Sequence, residues 1–189
     1  MVLLNARFAS EHSFKSFPHF KLKNVDCSIV TSEEITGENG LLVMFICNHC
    51  PYVKAIAENI TQDANDLKVL GINSIAINSN DPNDYPEDSF DKMVEFSKIH
   101  NFTFPYVIDE TQKTAKDFGA LCTPDFFLFT KDRNDHLILS HKGRLNDFIY
   151  TKNGMQTSKG IDVQRELYII AQYLVRKARS SMGCSIKWK

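Results

Sequence analysis

Long apolar runs are missing from this 189-residue chain: the longest, Leu41 to Cys47, has seven residues, far below the roughly 20 that a membrane-spanning helix needs. A membrane is therefore not an expected partner. An excess of charge is missing too, since 22 lysines and arginines stand against 23 aspartates and glutamates, for a formal charge of -1. Without a positive field to neutralise several phosphates, nucleic acid is not expected as a partner either. Met1 to Ser10 lacks a basic start followed by an apolar stretch of signal-peptide length, so a cytoplasmic location is expected.

Cysteines are few, odd in number and unevenly spaced, with Cys27, Cys47, Cys50, Cys122 and Cys184 making five. That pattern excludes a secreted disulfide framework, and reactivity matters more than stapling. Internal repeats, low-complexity tracts and linkers are absent as well. What is present is 43% hydrophobic residues, ordinary for a globular chain of this size, which buries roughly 70% of its unfolded surface. One domain is expected over residues 1–189, with 1–40 as an N-terminal edge extension and 180–189 as a C-terminal tail.

The alternation of Phe20, Leu22 and Val25 around Lys21 and Lys23 suits a short edge strand. Leu41 to Ile46 is apolar without interruption and rich in β-formers, the pattern of a central strand covered on both faces. From Pro51 the period changes: Val53, Ile56, Ile60, Ala64 and Leu67 make a helical stripe that Gly71 stops. Ile72 to Ile77 reads as a second buried strand, joined to the first by a parallel right-handed crossover. Both strands then end at the same edge of the sheet. Asn78 to Asp88 is turn-rich, a helix is expected from about Ser89 to His100, a strand over Phe104 to Ile108 and a short helix over Thr111 to Phe118. Asp125 to Thr130 and Leu137 to His141 read as an antiparallel hairpin, and Ile161 to Arg179 as a final helix. The fold class is α/β, a central mixed sheet flanked by helices.

Cys47, Asn48, His49 and Cys50 fall where the central strand hands over to the helix. This expectation puts the Cys47 sulfur over unpaired amides at a helix N-terminus, where a thiolate is stabilised. In such dithiol turns the first thiol drops from about 8.5 to between roughly 7 and roughly 3.5. Cys50, one helical turn on, is placed to attack a mixed disulfide on Cys47, so the pair forms a two-electron switch. His49 lies between the sulfurs and favours the reduced thiolate, which makes the disulfide more oxidising, and Pro51 suits the first turn of a helix. Two other readings of the pair stay open. One is half of a zinc site completed by Cys122, Cys184 or His49; the other is two inert core residues.

The segments CNHCPYVKAI at 47–56, INSNDPNDYPEDSFDKM at 77–93, FPYVIDETQ at 104–112, GALCTPDFFLF at 119–129 and GCSIKWK at 183–189 extend the comparison beyond the dithiol. Through them the chain resembles the thioredoxin superfamily, in its branch of alkyl hydroperoxide reductase and thiol-specific antioxidant (redoxin) domain proteins. The resemblance implies a thioredoxin-like, three-layer α/β/α fold. It also implies a cis bond at Thr123-Pro124, with the preceding backbone pairing an extended peptide of a partner. Two positions depart from the pattern. Leu41 stands where thioredoxin has a buried acid, leaving no evident proton acceptor for Cys50. Val43, Met44, Phe45 and Ile46 replace the proline and hydroxyl residue that precede a peroxidatic cysteine.

The resemblance further suggests Cys184 as a companion of Cys122 in a second redox pair. Cys27 is read as structural, and Asn78, Asn80 and Asp81 as turn formers at the edge that carries Cys47. Arg144 and the basic residues Arg176, Lys177, Arg179, Lys187 and Lys189 are read as solvated, and His12, His19, His100, His136 and His141, which have no metal spacing among them, are assigned no role. The expected function is thiol-disulfide exchange, with Cys47 attacking, Cys50 resolving and Thr123 and Pro124 binding the partner. Expected substrates are protein or small-molecule disulfides, with a thiol electron donor such as a thioredoxin reductase system and no cofactor or metal. The alternatives are a thiol-dependent peroxidase and a non-catalytic binding or metal-carrying module.

Overall fold

The computed structural model describes residues 3–5, 16–143, 148–151, 154–157 and 182–189. In chain order these hold β1 (Leu3–Asn5), β2 (Lys21–Asn24), β3 (Ile29–Thr31), α1 (Ser32–Ile35), β4 (Gly40–Phe45), α2 (Pro51–Lys54), α3 (Ala57–Val69) and β5 (Ile72–Asn78). A single 3-10 turn, Pro86–Asp88, precedes α4 (Phe90–Ile99), β6 (Tyr106–Ile108), α5 (Lys113–Phe118), β7 (Cys122–Thr123), β8 (Asp125–Lys131) and β9 (Leu137–Gly143). The last strands are β10 (Phe148–Thr151), β11 (Gly154–Thr157) and β12 (Met182–Ser185). No helix among the described residues is long and apolar enough to cross a membrane.

Seven strands form the main sheet in the order β3-β2-β6-β5-β4-β8-β9. Its β4, β5 and β6 run parallel, and the remaining pairs are antiparallel. A smaller sheet has the order β1-β12-β7, and β10 with β11 makes a separate hairpin. The apolar run becomes β4, near the middle of the main sheet, and its side chains divide between two cores. Leu42, Met44 and Ile46 pack against Val53, Ile56, Ile60 and Leu67 of the α2–α3 segment and against Met93 and Phe96 of α4. Leu41, Val43 and Phe45 face the other way, onto Phe17, Phe20, Phe118, Phe127 and Phe129 with Ala115 of α5. Helices therefore lie on both faces, the three-layer arrangement expected, and burial on both sides explains why the strand shows no polar alternation. Gly40 opens β4 where a Cβ would stand 2.2 Å from the Phe129 carbonyl oxygen of β8.

The helix expected from Pro51 onward is two pieces. The Ile56 amide bonds to the Val53 carbonyl, a tightened turn that separates α2 from α3. The first forty residues hold more than one edge strand. Thr31 and Glu34 form a capping box that starts α1 directly after β3, a signature legible in the T-x-x-E spacing. The tail expected over 180–189 contains β12, which pairs with β7 and with β1. Strands this short carry too few side chains to show a period. The hairpin β10–β11 has no counterpart among the sequence expectations. Those for the helix over 161–179, which includes Arg176, Lys177 and Arg179, and for Arg144 lie outside the described residues.

Candidate active site

Cys47 to Cys50 leave the end of β4, the loop 79–88 leaves the end of β5, and both stand at one edge of the sheet because the strands are parallel. Cys50 is the N-cap of α2 and Pro51 its first residue, where a missing N–H is tolerated. From the antiparallel side, β7 brings Thr123 to the same place, and the Thr123-Pro124 peptide bond is cis.

The amides that were expected to face Cys47 unpaired are taken. Asn48 N–H and His49 N–H both donate to Oδ1 of Asp88, at 2.8 and 3.1 Å. Oδ2 of the same carboxylate accepts from the Asn80 side-chain amide at 2.7 Å and lies 2.5 Å from His49 Nδ1. Asp88 is fully buried and acceptor-only, so its partner Nδ1 carries the hydrogen. Asn78 donates to the Asp88 carbonyl at 3.2 Å. Asn48 donates to the Glu87 carbonyl and accepts from the Tyr106 hydroxyl, each at 2.9 Å. Asn78 and Asn80 are therefore more than turn formers: Asn80 holds the carboxylate that orders the dithiol turn, and Asn78 holds the backbone carbonyl of the same residue. Sequence reading missed Asp88 because nothing local marks it among the acids of a polar loop. The His49 ring stacks on Tyr85, with centroids 5.0 Å apart and planes at 21°.

Both dithiol sulfurs are buried and converge on Thr123. Cys47 Sγ lies 3.1 Å from the Thr123 hydroxyl and Cys50 Sγ lies 3.2 Å from the Thr123 carbonyl oxygen. A third sulfur joins them, since Cys184 Sγ is 3.4 Å from Cys50 Sγ. The register of β12 on β7 pairs Cys184 with Thr123 and Ser185 with Cys122. Residues directly opposite share a face and successive residues alternate, so Cys184 and Cys122 point to opposite sides. The suggested Cys122 partnership is thus replaced by a Cys50 partnership, and the Cys122 sulfur instead turns to the Pro124 carbonyl, at 3.8 Å. Cys27 is exposed, on a turn with positive φ.

The sulfurs of this cluster shift one another's ionisation through their hydrogen bonds. Burial, the hydrogen bond to Cys50 and the negative field of Asp88 raise the Cys47 thiol well above its ordinary range. The Cys50 thiol is lowered because Cys184 and Cys47 both donate to its thiolate, with the Cys184 and Val53 backbone assisting against burial. Cys184 is raised by the bond it would give up to Cys50, and by burial. Cys122 is raised by burial and by Asp125, and Tyr106 by burial with the charges of Cys47 and Asp88 behind it. The amides expected to face a Cys47 thiolate serve Asp88 instead, and Cys50 holds the cap position. Leu41 packs in the phenylalanine core on the opposite face, so no acid lies beneath the dithiol at that position.

Cys47, His49 and Asp88 each put a ligand-type atom within 4.8 Å of one another, the one such group among the described residues. It does not fit a metal. Each carboxylate oxygen of Asp88 already serves two donors, which uses the roughly four acceptor positions a carboxylate has.

Residues 15–139 match the AhpC/TSA family, and the chain belongs to it. Among solved structures, an uncharacterized conserved protein from Geobacillus kaustophilus is 35% identical with a TM-score of 0.87, the match covering 100% of this chain and 97% of that one. A hypothetical protein from Sinorhizobium meliloti 1021 is 32% identical with a TM-score of 0.80, over 91% of this chain and 92% of the other. A thiol:disulfide interchange protein of the thioredoxin family from Chlorobium tepidum TLS shares the fold at 16% identity and a TM-score of 0.52, over 65% of this chain and 81% of that one. No curated protein matches the sequence. The fold is thioredoxin-like, with a mixed sheet flanked by helices.

Proposed function

We propose that this protein is a thiol-disulfide oxidoreductase working through Cys47 and Cys50. The observation that carries this reading is the convergence of both sulfurs on Thr123, at 3.1 and 3.2 Å. Membership of a redoxin family supports it. Cys47 gives up its proton to the adjacent Cys50 thiolate, a step against the resting preference that consumption of the Cys47 thiolate draws forward. The Cys47 thiolate then attacks a substrate disulfide, forming a mixed disulfide and releasing the first substrate sulfur as a thiolate. That thiolate takes the proton from Cys50, and the Cys50 thiolate attacks Cys47 Sγ. The Cys47–Cys50 bond forms, the mixed disulfide breaks, and the second substrate sulfur leaves and is protonated by water. His49 is held beside the turn by Asp88 and Tyr85, and Thr123 positions the two sulfurs. Protein or small-molecule disulfides are the substrate class, and a thiol donor restores the dithiol.

The peroxidase alternative asks for a proline and a hydroxyl residue before the peroxidatic cysteine, where this chain has Val43, Met44, Phe45 and Ile46. A redox titration in thiol buffers, with differential alkylation and peptide mass mapping, tests the proposal. A reversible two-electron couple at Cys47 and Cys50 between roughly -270 and -120 mV is expected. If the two cysteines stay alkylatable across that range, the exchange reading is lost.

A further inference from the structure

We propose that Cys184 is a third redox-active thiol, which exchanges with the Cys47–Cys50 disulfide by forming a disulfide with Cys50. The inference rests on the oxidoreductase reading and extends it to a residue 134 positions further along the chain.

The contact is built by the backbone. β12 lies antiparallel on β7 with Cys184 opposite Thr123, so the Cys184 side chain shares the face from which Thr123 meets the dithiol. Gly183 permits that approach: a Cβ there would stand 2.0 Å from the Thr123 carbonyl oxygen. Beyond Cys184 the chain is tied down, with Ile186 N–H donating to the Leu121 carbonyl at 3.1 Å and Lys187 N–H to Asn80 Oδ1 at 2.8 Å. Asn80 is the same residue that donates to Asp88, so one side chain registers the terminal segment and the dithiol turn together. The result is a cysteine 2% exposed whose sulfur lies 3.4 Å from Cys50 Sγ.

The exchange is balanced without an added oxidant once a substrate disulfide has oxidised the dithiol. The Cys184 thiolate attacks Cys50 Sγ; the Cys50–Cys184 bond forms and the Cys47–Cys50 bond breaks. Cys47 leaves as a thiolate and takes up the proton that Cys184 gave up, so Cys184 is oxidised, Cys47 is reduced and the oxidation of the protein as a whole is unchanged. In the reduced protein the Cys184 proton is held by its bond to the charged Cys50. Oxidation of Cys50 removes that charge and frees the thiol to react. The step stores the disulfide at Cys50 and Cys184 and returns Cys47 to the thiol state, ready for a second substrate disulfide.

The test uses the full chain oxidised by glutathione disulfide, quenched in acid, alkylated with iodoacetamide and mapped as non-reduced peptides. The wild type is expected to give a mixture of two forms, one bridged Cys47–Cys50 and the other Cys50–Cys184. In Cys47→Ser the Cys50–Cys184 link becomes the main oxidised species, with Cys27 and Cys122 still alkylated. In Cys184→Ala the second link is lost and the first persists. If Cys184 is alkylated in every oxidised sample while Cys47–Cys50 forms, the relay is overturned and the oxidoreductase reading stands. If Cys47–Cys50 fails to form, that reading falls, and the Cys47→Ser sample still decides whether Cys50 and Cys184 join.

Discussion

Removing the Asp88 carboxylate strips an acceptor from the amides of Asn48 and His49 and from the Asn80 side chain at once. Asp88→Ala is expected to cost about 3 kcal/mol or more, since each buried donor left unpaired costs about 1–3 kcal/mol; urea unfolding of the reduced protein measures it. Asp88→Asn removes the charge and keeps an oxygen for the two amides. Because the Asp88 charge is one cause of the raised Cys47 thiol, its pKa falls in that variant, and at fixed pH Cys47 is alkylated faster. The sulfurs also set a pH dependence. Cys50 has a folded-state pKa below its unfolded value, so the unfolded chain binds the extra proton between them. Its contribution is present above about 8.5, the ordinary cysteine value, and is lost as pH falls through the folded pKa. Cys47 is raised, so it acts with the opposite sign and lowers stability as pH climbs above its unfolded value. Stability of the reduced protein relative to Cys50→Ser should therefore increase as pH approaches about 8.5 from below. A difference that stays flat between pH 5 and 8.5 in denaturant titrations would contradict the charge placement.

At the level of elements, β12 is the strand whose position matters most for the site. Gly183→Ala would bring a Cβ to 2.0 Å from the Thr123 carbonyl oxygen, a clash that parts β12 from β7. Overpacking of this kind costs about 1–3 kcal/mol. The specific expectation is that Cys184 in the reduced protein becomes alkylatable at a rate approaching that of the exposed Cys27. The central strand and the helix after it were legible from sequence, because each runs long enough for its side chains to declare a period. The apolar run is β4, and the stripe from Val53 to Leu67 is the helical face that covers it. β12 and β7 were not legible as strands. With four and two residues they have no pattern of their own, and what makes them strands is each other.

Across the whole molecule the sheet separates two cores with different tasks. One carries the dithiol, with Cys47, Cys50 and Cys184 among its residues, and the other is built around phenylalanine. Phe118 is the hub of the second, its ring within 5.5–6.3 Å of those of Phe17, Phe20, Phe45, Phe127 and Phe129. Phe118→Ala should cost about 3–5 kcal/mol. Since its ring packs on the face away from the sulfurs, the Cys47–Cys50 redox midpoint should stay unchanged in the folded variant. A large shift in that midpoint, measured by the same thiol-buffer titration, would show that the two cores are not separable.

Sequence alone determined the strand, helix, strand unit and the dithiol at its turn, because periodicity and close spacing are local properties that survive without a fold. It also carried the resemblance through which Thr123-Pro124 was placed opposite the cysteines. Only the tertiary structure decided which groups face the sulfurs. Asp88 reaches the amides of Asn48 and His49 from a loop 39 or 40 residues away, and Cys184 reaches Cys50 across 134. Both depend on strand order and on the register of β12 against β7. Pairings between distant segments are chosen by the packing of the whole chain, and a short segment read in isolation holds no trace of its partner.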